Sequence, residues 1–207
     1  MTDQILLQEY FQLAPSKEML NEARASLEEG GPLIVKGVIQ RADAKNQNGR
    51  IYPVEILKKE MDRYVSEYVN KGTALGELDH TEEPVIALKN VSHRITEVNW
   101  DGKDVLGKVE ILNTPAGKIA KEIVLSGIPL GISSRAIGSV SKNEDKDGAD
   151  VVGDDLQMIC FDLVGTPSTH GAFLGESKIV RNFDPRKILP AELRIKNTLA
   201  DILGRKF

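Results

Sequence analysis

The residues of this chain best suited to do chemistry are Ser133 and Ser134, in Gly131-Ile132-Ser133-Ser134-Arg135, and His80, in Leu75-Gly76-Glu77-Leu78-Asp79-His80. A serine hydroxyl near its free pKa is a poor nucleophile, and an imidazole within hydrogen-bond reach activates it by taking the proton as the oxygen attacks. Serine hydrolases draw these two groups from segments that are distant in sequence and adjacent in space. The chemistry on offer is therefore covalent acyl transfer, although spacing alone would fit any serine-rich turn with a histidine elsewhere. Other chemistries fit worse. A metal at Asp79, His80 and Glu82 would lack the further His or Cys ligands that zinc requires. Asp145-Lys146-Asp147-Gly148 opens like a calcium loop but has Leu156 where the twelfth-position glutamate belongs, so a solvated hairpin is expected. The Gly-x-Ser-x-Gly elbow of the α/β-hydrolases is absent, because Arg135 stands two residues after Ser133.

Composition sets the outer limits. At 207 residues, with 41% hydrophobic and 28% charged residues, the chain can bury its own core as one domain. A net charge of −4, with Lys and Arg scattered among Asp and Glu, offers no basic stripe, so no nucleic-acid partner is expected. No apolar run approaches the roughly 20 residues that span a bilayer, and Asp3 and Gln4 stand where a secretory signal would be basic. No membrane partner and a cytoplasmic site of action are expected. Cys160 is the only cysteine and sits in Met158-Ile159-Cys160-Phe161, which predicts buried packing.

The elements that must position the reactive residues alternate few helices with many strands. Ser16 and the helix formers of 17–29, stopped by Gly30-Gly31-Pro32, predict a leading helix. Strands are expected over 33–39, 74–78, 85–100 with a break near Asn90, 105–112, and 156–164, with Asp101-Gly102 as a hairpin turn. His93 falls mid-strand and reads as a sheet-surface residue. Pro53 opens a helix with a stripe of Ile56, Met61, Tyr64 and Val65, and Thr114-Pro115 caps another that ends before Gly127. Asp184-Pro185 and the amphipathic run with Leu193, Ile195, Leu199 and Leu203 predict a linker and a C-terminal helix. The expected fold class is α+β, with a mostly antiparallel β-barrel or sheet core and surrounding helices. Three parts are expected: an N-terminal helical segment over 1–31, a central domain over 32–180, and the linker and helix over 181–207.

Three stretches in this order, Asn46-Gln47-Asn48-Gly49-Arg50-Ile51-Tyr52-Pro53, Gly76-Glu77-Leu78-Asp79-His80 and Gly131-Ile132-Ser133-Ser134-Arg135, resemble the prohead maturation proteases of tailed myophages, relatives of the herpesvirus assemblins. The resemblance runs from about Pro32 to about Phe173. It implies an assemblin-like fold and a serine endopeptidase without cofactor, working inside the phage prohead in the host cytoplasm. Its substrates would be scaffold or core proteins and the major capsid protein, and self-association is compatible with it. Ser133 matches the family's nucleophile, with Ser134 the alternative, and His80 matches the base. Assemblin-like enzymes take a third member from a strand after the nucleophile, where Asp162 fits; assemblins place a histidine there, so His170 is the fallback. Backbone N–H groups of Ser134 or Arg135 would serve the oxyanion, and the Arg135 guanidinium would meet either the oxyanion or a substrate glutamate.

The resemblance also implies cleavage after a hydrophobic-x-Glu triplet. Leu174-Gly175-Glu176 is the candidate for self-trimming, with Leu7-Gln8-Glu9, Leu20-Asn21-Glu22 and Leu27-Glu28-Glu29 as further sites expected ahead of the first strand. The alternative function is a noncatalytic prohead core protein that binds scaffold.

Overall fold

A computed structural model describes residues 4–13, 16–79, 81, 83–143 and 148–165. The strand that carries the serine pair, β7 (Leu130–Gly138), is the middle of a three-stranded sheet, flanked antiparallel by β1 (Ile5–Leu13) and β10 (Gln157–Gly165). A second, four-stranded antiparallel sheet has the order β2 (Leu33–Arg41), β6 (Asp104–Ile111), β5 (Val91–Asp101), β4 (Leu75–Glu77). The third pairs β3 (Arg50–Ile51) parallel with β9 (Ala149–Val152), which also pairs antiparallel with β8 (Val140–Asn143). The expected α+β class with mostly antiparallel strands is present. Among the described residues no sheet closes into a barrel. Among the described residues, one isolated backbone bridge joins the edges of the first two sheets, Leu78 with Leu163, where the Asp79 N–H donates to the Leu163 carbonyl at 2.8 Å, and side-chain contacts such as Gln40 with Ser134 join them elsewhere.

Local chemistry explains most element boundaries. Ser16 caps α1 (Lys17–Glu28) by accepting from the Met19 N–H at 3.2 Å. Thr114 caps α3 (Pro115–Leu125) by accepting from the Gly117 N–H at 3.0 Å, and Gly127 closes it at φ 70°. α2 (Val54–Tyr64) follows Pro53 and buries Leu57, Met61 and Tyr64, so that Met61 and Tyr64 of the expected stripe are buried while Leu57 takes the place of Ile56, before a π turn at Val65–Val69. The β5–β6 hairpin turns at Gly102, φ 58°. The core gathers Leu7, Ile39, Leu57, Val109, Ile132 and Phe161.

Three expectations need correction, and a fourth group lies outside the described residues. Residues 5–13 form a strand within the segment expected to be helical, and that strand pairs along the whole of β7. Leu7-Gln8-Glu9 therefore lies inside β1, and the other two N-terminal triplets lie in or at the end of α1. Residues 85–90 are not a strand; they end in a 3-10 turn at Leu88–Asn90. His93 is fully buried, because β4 covers it at Gly76, where a Cβ would stand 2.3 Å from its Nε2 and 2.0 Å from the Phe161 carbonyl oxygen. The expected C-terminal linker and helix, His170 and Leu174-Gly175-Glu176 lie outside the described residues.

Candidate active site

Strand alternation separates the two serines. Successive side chains of a strand point to opposite faces, so Ser133 and Arg135 share one face of β7 and Ser134 has the other. Opposite Ser133 stand Asp162 on β10 and Tyr10 on β1. The Tyr10 ring can lie there because Gly131 has no side chain: a Cβ at that position would stand 1.8 Å from the ring. Ser133 is 2% exposed, so a peptide carbonyl reaches it only when the groups covering it move.

Arg135, also fully buried, organises this face. Its Nε donates to Cys160 Sγ at 3.2 Å, and its Nη1 to Thr81 Oγ1 at 3.0 Å and the Glu83 carbonyl at 2.7 Å. Its Nη2 meets Glu77 Oε2 at 3.0 Å, Cys160 Sγ at 3.1 Å and Asp162 Oδ1 at 3.3 Å. A guanidinium has five N–H donors, and every one is engaged inside the protein. The role expected for Arg135, contact with an oxyanion or a substrate carboxylate, finds no spare donor here. The backbone N–H groups of Ser134 and Arg135 lie in a strand paired on both sides, where ladder partners claim them.

Asp162 is buried on every side. Oδ1 accepts from the Glu77 N–H at 3.0 Å and from the Cys160 thiol at 3.3 Å. Oδ2 lies 3.1 Å from Arg135 Nε as an ion pair, yet has no aligned hydrogen-bond donor among the described residues. Burial pushes the carboxyl up to about 6, against the Arg135 charge and the Glu77 N–H, which favour the anion.

His80 lies outside the described residues, but its chain neighbours are held on both sides. Asp79 adopts φ 57°, a left-handed conformation Asp tolerates better than most residues, with its N–H on Leu163. Thr81 is held by Arg135. Glu82 is also outside the described residues.

The far face of β7 is a second buried polar cluster. Ser134 Oγ accepts from Gln40 Nε2 at 3.0 Å. Across the ladder from Ser134, Glu9 accepts from Asn48 Nδ2 at 2.7 Å, Tyr52 OH at 2.9 Å and Arg50 Nη1 at 3.1 Å. Burial raises the Glu9 carboxyl despite these partners, and burial beside Glu9 raises the Tyr52 phenol well above its ordinary range. The first motif, 46–53, thus grips β1 rather than facing Ser133.

Sequence reasoning missed three residues of the Ser133 face, Glu77, Thr81 and Tyr10. Glu77 had a signal: it is a charged residue among apolar strand positions inside a motif already singled out, and such a carboxylate needs a partner. Thr81 and Tyr10 had none. Cys160 is buried as expected, though inside the polar cluster; burial, with Asp162 adjacent, raises its thiol well above the usual range. His93 donates from Nε2 to the Phe161 carbonyl at 2.8 Å and accepts at Nδ1 from Ser92 Oγ at 2.8 Å, a neutral tautomer that burial enforces by lowering its pKa to about 4. No group of three or more His, Cys, Asp or Glu residues placed to hold a metal occurs among the described residues.

The chain is 30% identical over 154 residues to the prohead core protein protease of Enterobacteria phage T4, covering 72% of this chain and 71% of that one. The solved structure of the bacteriophage T4 capsid assembly protease superposes with a TM-score of 0.66 at 25% identity, over 79% of this chain and 99% of that chain. The family model described as prohead core protein serine protease matches residues 10–183, from β1 through the serine strand and beyond β10, and the chain belongs to that family.

Proposed function

We propose that this chain is a serine endopeptidase of prohead maturation in which Ser133 is the nucleophile, His80 the general base and Asp162 the residue that orients the imidazole. Family membership supports the protease role. The observation that carries the residue assignment is Asp162: a buried carboxylate directly across from Ser133, with one oxygen that lacks a donor among the described residues. A neutral imidazole N–H supplied by His80 is the donor this oxygen suits, and the pairing would fix the tautomer that leaves the other ring nitrogen free to take the Ser133 proton. Attack by Ser133 Oγ gives an acyl-enzyme, the imidazolium protonates the leaving amine, and water completes hydrolysis. No cofactor enters. Ser134 hydrogen-bonds into the far face and Arg135 acts on protein partners rather than on substrate.

The substrates would be prohead core or scaffold proteins and the major capsid protein, met inside the prohead in the host cytoplasm and cut after hydrophobic-x-Glu. The assemblin-like ancestry and the division into 1–31, 32–180 and 181–207 belong to the same proposal, with β1 joined to the central part. Self-trimming after Glu176 also belongs to it; cleavage at Leu7-Gln8-Glu9 does not, since Glu9 is buried and triply hydrogen-bonded in β1. One observation favours the noncatalytic alternative, the 2% exposure of Ser133.

Incubation with a serine-directed fluorophosphonate and mass mapping of the modified peptide separates the two. Labelling at Ser133, abolished by Ser133→Ala and strongly slowed by His80→Ala, is expected. A protein unlabelled at Ser133 that also leaves core protein uncut would be the assembly protein.

A further inference from the structure

We infer that Arg135 is a positioning residue: its guanidinium clips the turn that carries His80 to the strand that carries Ser133, with Glu77 as its buried counter-ion. The inference rests on the assignment of Ser133 and His80 and adds the device that sets their separation. Arg135 stands two residues beyond Ser133 on the same face of β7, so whatever it grips is held beside the nucleophile. It grips the chain on both sides of His80: Glu77 ahead at 3.0 Å, and Thr81 Oγ1 at 3.0 Å and the Glu83 carbonyl at 2.7 Å behind. Glu77 closes the mouth of the same turn, because its Oε1 accepts from the Ala87 N–H while Oε2 takes the guanidinium. Glu77 and Ala87 are thus drawn together by one carboxylate, and Thr81 and Glu83 between them are pinned by one guanidinium.

Chemistry selects arginine here. The contacts to Thr81, Glu83, Glu77 and Cys160 fan out over both Nη atoms and Nε, and only a planar fork presents donors in that spread. A lysine ammonium keeps the charge but has three donors at one point. Both members of the Arg135–Glu77 pair are fully buried. Burying a charged pair is costly unless its geometry and remaining hydrogen bonds are well satisfied, and a packed apolar pair often serves stability as well or better. Stability alone therefore explains this pair poorly. A catalytic unit has a different need, because small misplacement of a reacting group costs on the order of 10²-fold in rate.

The test is the rate of fluorophosphonate labelling at Ser133 in the full chain, with folding followed by thermal melting. Arg135→Lys should slow labelling about 100-fold while folded, and Thr81→Val, which removes one anchor behind His80, about 5-fold with little change in melting. The acid limb of the labelling rate against pH should shift in both variants, since displacing His80 from Asp162 changes the imidazole's charge partner. A folded Arg135→Lys that labels within twofold of the parent, with an unchanged pH profile, overturns the inference. If Arg135→Lys does not fold, Thr81→Val decides alone: parental rate and profile overturn it. A parent that is not labelled at Ser133, or that labels equally fast as His80→Ala, would instead sink the underlying catalytic assignment.

Discussion

The two faces of β7 carry adjacent serines in the same strand and the same buried setting, yet their polar surroundings differ. On the Ser133 face, charged groups converge on an incompletely satisfied carboxylate beside the turn that carries His80. On the Ser134 face, Gln40, Asn48, Arg50 and Tyr52 saturate a serine and a glutamate and tie β1 and β2 to the sheet. Polar burial is thus not itself a sign of catalysis. The informative difference is the unspent acceptor, because a fully satisfied network rigidifies whereas a partly satisfied one is costly unless something uses it.

The comparison breaks most sharply at the serines. Ser133→Ala should abolish cleavage of a prohead core protein with little loss of stability. Ser134→Ala should retain activity and lose about 1–3 kcal/mol in urea unfolding, because the Gln40 amide is left without its acceptor. Reversed outcomes would exchange the roles of the faces. Next in size, Asp162→Asn should lower turnover by up to about 10⁴-fold without unfolding the domain, since an amide no longer selects the productive imidazole tautomer. Parental kinetics in this variant would move the orienting role elsewhere.

On the structural face, Glu9→Gln should cost roughly 3 kcal/mol of stability by leaving Arg50 with a weaker buried partner, while Ser133 labelling in the folded fraction changes only a few-fold. A large loss of labelling at unchanged stability would join the two faces functionally.

The smallest effect concerns pH. His93, lowered to about 4 from an unfolded value near 6.5, contributes stability present above about pH 6.5 and lost as pH falls through 4. Asp162, raised to about 6 from an unfolded value near 3.9, works in the opposite sense: its contribution is complete below about 3.9 and lost as pH rises through 6. The two offset each other between about pH 4 and 6. Asp162→Asn should therefore uncover a stability gain of about 2–3 kcal/mol from pH 4.5 to 6.5 that the parent lacks. Equal slopes in parent and variant, measured by urea unfolding, would contradict the pairing.

Much of this was legible in the sequence where the determinants are local. Ser16, Thr114, Gly127 and Gly102 announce helix ends and a hairpin through their own hydrogen bonds or φ angles. Ser133 and His80 were expected from motifs and Asp162 from its strand, and the structure sets Ser133 and Asp162 opposite each other. β1 was not legible, because a buried Glu9 breaks its apolar pattern and the groups that make this burial tolerable, Asn48, Arg50 and Tyr52, lie in another segment. His93 was misplaced for a similar reason: its face of β5 is covered by Gly76 and the Phe161 carbonyl, which belong to other strands. The engagement of Arg135 likewise depends on three elements brought together only by the fold.

The pairing of β1 with β7 has a consequence for timing. Ile5 pairs with Gly138 and Leu13 with Leu130, and the other ladder of β7 needs β10, which ends at Gly165. At about 5–20 residues per second, a ribosome that has finished β1 takes roughly 8–30 s more to reach the end of β10. Throughout that interval the serine strand lacks at least one neighbour, and such long-range pairings are slow to form even afterwards. A nascent chain in which β10 is still unmade therefore lacks Asp162, the residue opposite Ser133, and the order of the strands makes that face of the sheet one of the last parts to be completed.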